Sequence, residues 1–164
     1  MNDAVRGAIN KQINHEFQAA YLYLAMSGHF EVENLGGFGK WMRMQAREEL
    51  EHGMRLFDYM VRRGVEVTLA TVAGPQTEFG SPIEIFRQAL KHEKQVTELI
   101  NSLYELASSE KDYPTQLELQ WFIDEQVEEE ASVGSVVEQL EMAGDNRAAL
   151  LMLNEKLGSR VTTE

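Results

Sequence analysis

Glu49 and His52 stand three residues apart in "REELEH" (47–52). On a helix that spacing puts both on one face, where a carboxylate and an imidazole can grip one metal ion together. Gln126 and Glu129 repeat the spacing near the other end of the chain, and Glu16 and Glu93 stand alone between apolar neighbours. Together they offer four carboxylates, one imidazole and one amide. Burying four carboxylates costs several kcal/mol each unless a counter-charge compensates. Two divalent cations carry the four positive charges needed, and an oxygen-rich set with one nitrogen suits iron or manganese. A di-metal site of this kind takes a Glu from each of two helices and a Glu-x-x-His from each of two others. Three of those parts are present. The fourth reads Gln-x-x-Glu at 126–129, with no histidine after His92.

Four helices must bring these residues together. Apolar residues recur in steps of three and four along four long stretches, the period of a helix packed in a bundle. The stripes are Ile9, Ile13, Glu16, Ala20, Tyr23, Ser27; Phe38, Met42, Gln45, Glu49, His52, Leu56; Phe86, Leu90, Glu93, Thr97, Ile100, Tyr104; and Leu119, Phe122, Gln126, Glu129, Val133, Val136, Leu140. Each stripe carries its polar break near the middle. The pattern predicts helices over 3–33, 37–64, 81–109 and 114–142 in an all-α four-helix bundle.

The connections set the topology. "NLGG" (34–37) and "SEKDYP" (109–114) are short, so each joins antiparallel neighbours. Residues 64–80 are too many for a hairpin. Extended at about 3.3 Å per residue they reach roughly 55 Å, and a helix of about 28 residues is roughly 42 Å long. One long crossover between helices two and three therefore lets those two run parallel. Gly144 stops the fourth helix, and Asp145 or Asn146 caps a short, apolar fifth one. The expected division is 1–145 for the bundle with its metal centre and 146–164 for the fifth helix and tail of the same domain. A helix this apolar calls for a cover, and another subunit is the expected one.

The chain has 164 residues and no cysteine, which excludes disulfides, thiolate zinc sites, iron–sulfur clusters and rubredoxin-type iron. A net charge of −12 argues against nucleic acid and favours cations. No apolar run reaches the roughly 18 residues of a membrane span, and "MNDAVRGAINKQ" has no signal-peptide core, so the expected location is the cytoplasm.

"INHEFQAAYLYLAMS" (13–27), "AREELEHGMRLFDYM" (46–60), "KHEKQVTELI" (91–100) and "LQWFIDEQVEEE" (119–130) resemble, in order, the helices of the ferritins, specifically the non-haem bacterial and archaeal type. The resemblance covers essentially the whole chain. It implies a ferritin-like four-helix bundle with a ferroxidase centre inside each subunit. Glu16, Glu49 and His52 would hold the first iron, with Glu49 bridging. Glu93 and Glu129 would hold the second, with Gln126 beside it and Tyr23 nearby. A third iron site on the inner side matches Glu48, Glu125, Glu128 and Glu129. Helical phase supports that site: Glu48 and Glu128 turn from the stripe by about 100° in the same sense, and Glu125 by about 40°. The family further implies Fe(II) and dioxygen or peroxide as reactants, and a homo-oligomeric cage of twenty-four subunits storing ferric mineral.

The missing second histidine separates the chain from bacterioferritins, leaves the second iron with oxygen ligands only, and disfavours haem. The methionines Met42, Met44, Met54 and Met60 are read as packing. His15, His29 and His92 are expected at the surface or at caps, Glu51 in solvent about 200° from Glu49, Glu130 off the stripe, and Trp41, Trp121 and Phe122 in the core. Tyr23 is equally a core tyrosine or a redox-active one. Two rival functions remain: a di-iron peroxidase or oxidase of the rubrerythrin or bacterioferritin type, and a metal-free scaffold bundle. The first lacks the cysteine-rich electron-transfer domain such peroxidases often carry. The second leaves four buried carboxylates unexplained.

Overall fold

The computed structural model describes residues 1–159; residues 160–164 of the expected C-terminal segment lie outside the described residues. Five helices follow one another: α1 (Asp3–Val32), α2 (Gly36–Arg62), α3 (Pro82–Ser109), α4 (Tyr113–Ala143) and α5 (Arg147–Gly158). Four of the five begin where a side chain satisfies free backbone N–H groups, and α2, which starts after Leu35, has no such cap. Asn2 accepts from the Val5 amide, Asp112 from Thr115, and Asn146 from Ala148 and Ala149. Ser81 and Glu84 form a capping box at the start of α3. Left-handed residues follow the ends: Asn34 at φ 59° after α1, Gly64 at φ 65° after α2, Lys111 at φ 55° after α3.

α1 packs chiefly on α2 and α3 chiefly on α4, giving two hairpins that meet face to face. α5 folds back onto α2 and α4. Residues 65–80 are extended without strand pairing. The Thr68 amide donates to Asn10 Oδ1 at 2.9 Å near one end of α1, and the tilted ring of Phe79 meets His29 near the other at 5.5 Å between ring centroids. The crossover thus runs back along α1. The parallel course of α2 and α3 is visible where Trp41 and Phe86, each in the first turns of its helix, meet at 5.2 Å.

The core is two apolar clusters. One is aromatic, built on Phe30, Phe38, Trp41 and Phe86, and extends to Leu153 and Leu157 of α5. The other holds Ile9, Ile13, Leu56, Met60, Ile100, Leu119 and Phe122. Between them lies a buried polar layer. The stripes of α2 and α4 are buried as expected. In α3 Phe86, Glu93 and Ile100 are buried as expected and are joined by Ala89, Val96 and Leu103, with Leu90, Thr97 and Tyr104 at the boundary, and in α1 Ala19 replaces Ala20. The apolar band of α3 is wider than one row, and its small Ala89 is the side that turns in toward the facing aromatics. In α5, Leu153 and Leu157 are buried while Leu151 and Met152 are exposed.

Candidate metal centre

The polar layer consists of the residues that interrupt the stripes, together with two further glutamines. Glu16, Glu49, His52, Glu93, Gln126 and Glu129 are all buried, Glu93 completely. Ligand atoms of Glu16, Glu49 and His52 lie within 4.8 Å of one another, as do those of His52, Glu125 and Glu129, so His52 belongs to both groups. His52 Nδ1 stands 3.6 Å from Glu49 Oε2. Its ring is held edge-on between Trp121 at 5.4 Å and Phe122 at 6.0 Å, which fixes its direction. The hairpins divide the set: Glu16, Glu49 and His52 on the first, Glu93, Gln126 and Glu129 on the second.

The carboxylates are tied by neutral donors. Gln12 Nε2 donates to Glu16 Oε1 at 2.8 Å, Gln45 Nε2 to Glu129 Oε2 at 2.7 Å, and the Tyr23 hydroxyl to Glu93 Oε1. Gln126 Nε2 donates to the Glu93 carbonyl at 3.2 Å and reaches its Oε2 at 3.5 Å. Glu16 Oε2 is sealed from solvent with no protein partner. A buried carboxylate oxygen left open beside an imidazole and a second carboxylate is what a cation would occupy. Among the described residues, no ion pair from Lys or Arg reaches Glu16, Glu49, Glu93 or Glu129.

Burial and mutual repulsion raise the carboxylates of this layer. Burial, then the Glu49 charge, pushes Glu16 well above the usual carboxylate range. Burial and Glu93 do the same to Glu49. Burial raises Glu93 to about 6, and burial with the facing Glu93 charge raises Glu129 to about 7. Burial, then Glu93, lifts the Tyr23 phenol, which keeps it a donor.

Beside the buried set opens an acidic pocket of about 510 Å³ between α2 and α4, lined by Glu48, His52, Glu125, Glu128 and Glu129. The residues expected for the inner site therefore share one wall-to-wall space. Glu51 is exposed as expected but also lines this pocket, because it falls three residues after Glu48 on the same helix face.

Two expectations need correction. Trp121 is not core: it is half-buried at the pocket wall with the Arg55 guanidinium 4.0 Å above its ring. Arg55 is in turn held by Glu118 at 2.8 Å. His92 is not a cap, and it is half-buried rather than fully at the surface. Its Nε2 is sealed without a partner, its ring meets Tyr23 edge-on at 6.3 Å, and burial lowers its pKa. Glu130, off the stripe as expected, is half-buried and accepts from Thr97 Oγ1 at 2.6 Å. Sequence reading also missed the role of Gln12. Its position one turn before Glu16 was the available signal.

A family model described as "Ferritin-like domain" matches residues 6–143. The chain belongs to the ferritin family. It is 37% identical over 160 residues to a bacterial non-heme ferritin of Bacteroides fragilis (strain 638R), covering 98% of this chain and 99% of that one. It is 38% identical over 157 residues to a bacterial non-heme ferritin of Staphylococcus aureus (strain MRSA252), covering 96% and 95%. Among solved structures, an open-pore ferritin from the hyperthermophilic archaeon Archaeoglobus fulgidus superposes with a TM-score of 0.97 at 43% identity, covering 98% of this chain and 99% of that one. A humanized archaeal ferritin gives 0.98 at 42%, covering 100% and 99%. The ferritin fold of this chain is an all-helical bundle with a short fifth helix, and no described helix is long and apolar enough to cross a membrane.

Proposed function

We propose that the protein is a cytoplasmic iron store that oxidises its own cargo. Fe(II) enters the buried layer, each of two ions gives one electron to dioxygen, and Fe(III) moves on to be stored as mineral inside a cage of twenty-four subunits. Dioxygen leaves as hydrogen peroxide after taking two protons. The observation that carries the reading is the gathering of four buried carboxylates and one imidazole in one layer, with no Lys or Arg ion pair to any of the four carboxylates among the described residues. In this reading Glu16, Glu49 and His52 hold the first ion, Glu49 bridges, and Glu93 and Glu129 hold the second with Gln126 beside it. Hard carboxylate oxygens stabilise Fe(III) over Fe(II). The second ion has no nitrogen ligand and is held more loosely, which suits onward passage. Glu48, Glu125 and Glu128, with Glu129 shared, receive it in the acidic pocket. Exposed apolar residues on several faces, Leu24 on α1, Leu117 on α4 and Met152 on α5 among them, support contacts between subunits.

The test is aerobic loading of the purified protein with Fe(II), followed by desalting and an iron count. Retention far above about two ions per chain, the capacity of a di-iron site, is the expected result. Retention of about two per chain would point to a conventional di-iron enzyme instead. A Glu49→Ala variant that oxidised Fe(II) at the parental rate would refute the ligand assignment.

A further inference from the structure

We infer that Gln12 and Gln45 are positioning residues that decide which oxygen of Glu16 and of Glu129 faces the ions. The inference rests on the proposed metal centre. Both glutamines are buried, Gln45 completely, and each donates its amide to one oxygen of one carboxylate. A free carboxylate swings about its last torsion and offers either oxygen. A carboxylate with one oxygen tied to an amide offers the other. For Glu16 the result is visible: Oε1 carries the Gln12 bond, and Oε2 is the buried oxygen without a partner.

The donor type matters as much as the contact. An amide nitrogen donates without bringing charge. A lysine or arginine in its place would neutralise the carboxylate and compete with the cation. The two glutamines also act on different ions. Gln12 precedes Glu16 by one turn of α1, and it is Glu16 that belongs to the group with Glu49 and His52. Gln45 reaches from α2 to α4 and holds Glu129, which also joins His52 and Glu125 at the pocket. Gln45 therefore governs the carboxylate common to the second ion and the inner pocket.

Outer hydrogen-bond partners of this kind change metal affinity by about 10–100-fold when removed. The experiment uses the assembled full-length protein, stripped of metal by chelation and titrated with Co(II). This ion stands in for Fe(II) without being oxidised, and its visible spectrum reports coordination geometry. Gln12→Met and Gln45→Met keep the chain length and remove the donor. Gln12→Asn and Gln45→Asn keep the amide and withdraw it by one methylene, so the inference survives a packing failure of either methionine variant. Gln12 variants should weaken the nitrogen-containing subsite by about 10–100-fold and alter its spectrum, with the oxygen-only subsite near parental. Gln45 variants should do the reverse. Parental affinity and spectrum at both subsites in a folded variant would overturn the inference, and so would equal weakening of both subsites by one substitution. If the parent bound no Co(II), the metal-centre reading would fall and this inference with it. If the parent bound and the variants matched it, only the inference would fall.

Discussion

The Tyr23 hydroxyl on α1 donates to a carboxylate oxygen of Glu93 on α3, joining the two hairpins at the level of the buried acids. The bond favours ionised Glu93 against the burial that opposes it. Tyr23→Phe removes the donor and little else. The metal-free variant should lose about 1 kcal/mol of stability in urea unfolding. Glu93 should then titrate higher, so the second subsite should bind divalent ions more weakly at pH 7. Unchanged binding would show that the bond is structural only.

The raised carboxylates set a pH dependence with a defined sign. Folded Glu93 near 6 and Glu129 near 7 exceed their unfolded values, so the metal-free folded chain holds extra protons between about pH 4.5 and 7. Their contribution to stability is complete below the unfolded value and is lost as pH rises through 6 and 7. The metal-free melting temperature should fall from pH 5 to pH 8 at constant ionic strength. Divalent ions displace those protons, so affinity should rise over the same range. Calorimetry in buffers of different ionisation enthalpy should detect proton release near pH 6.

Gly53 lies beside His52 where α2 approaches α1. A Cβ there would come 2.5 Å from a ring carbon of Phe17 and 3.3 Å from Glu16 Cβ. Gly53→Ala should cost about 1–3 kcal/mol through overpacking. Because the strain falls on the neighbours of two proposed ligands, the Glu16–Glu49–His52 subsite should weaken as well. A variant that is destabilised yet binds at full affinity would show that Phe17 yields alone.

Gly37 is the seat of α5. A Cβ would stand 1.7 Å from the Asn154 carbonyl oxygen, a backbone atom that cannot rotate away. The same junction carries the Phe38 amide on Asn154 Oδ1 at 3.1 Å and Lys40 Nζ on the Gly158 carbonyl at 2.7 Å. Gly37→Ala should lift α5 from the bundle. Hydrogen exchange should then speed up across 147–158, with the amides of α1 to α4 protected as before. Full protection of α5 would mean that the start of α2 shifts instead.

The helices, their connectivity and the buried acids were legible because they follow from periodicity. A carboxylate in the middle of an apolar stripe declares its depth, and Glu16, Glu49, His52, Glu93, Gln126 and Glu129 all lie in the buried layer where the stripes put them. The length of 64–80 sufficed to predict a crossover along the bundle. What escaped the sequence depends on contacts between segments. Leu90 and Ala89 both belong to the apolar band of α3, and only the aromatics opposite decide which turns inward. The surroundings of His92 and of Trp121, and the space denied at Gly37 and Gly53, exist only once helices have docked. Gln12 was overlooked because an amide beside a carboxylate has no periodic mark of its own.

The division of the buried acids between two hairpins gives the subunit a check on its own folding. Either hairpin can form from neighbouring chain segments, but neither alone has both halves of the proposed pair of subsites. The long crossover must bring them into register before the two proposed subsites can stand side by side. A chain caught before that step would carry half of the proposed centre and could not complete the proposed two-electron reaction. Once the hairpins close, ions bound by residues of both would act as rivets across the seam, so cargo and correct assembly would reinforce each other.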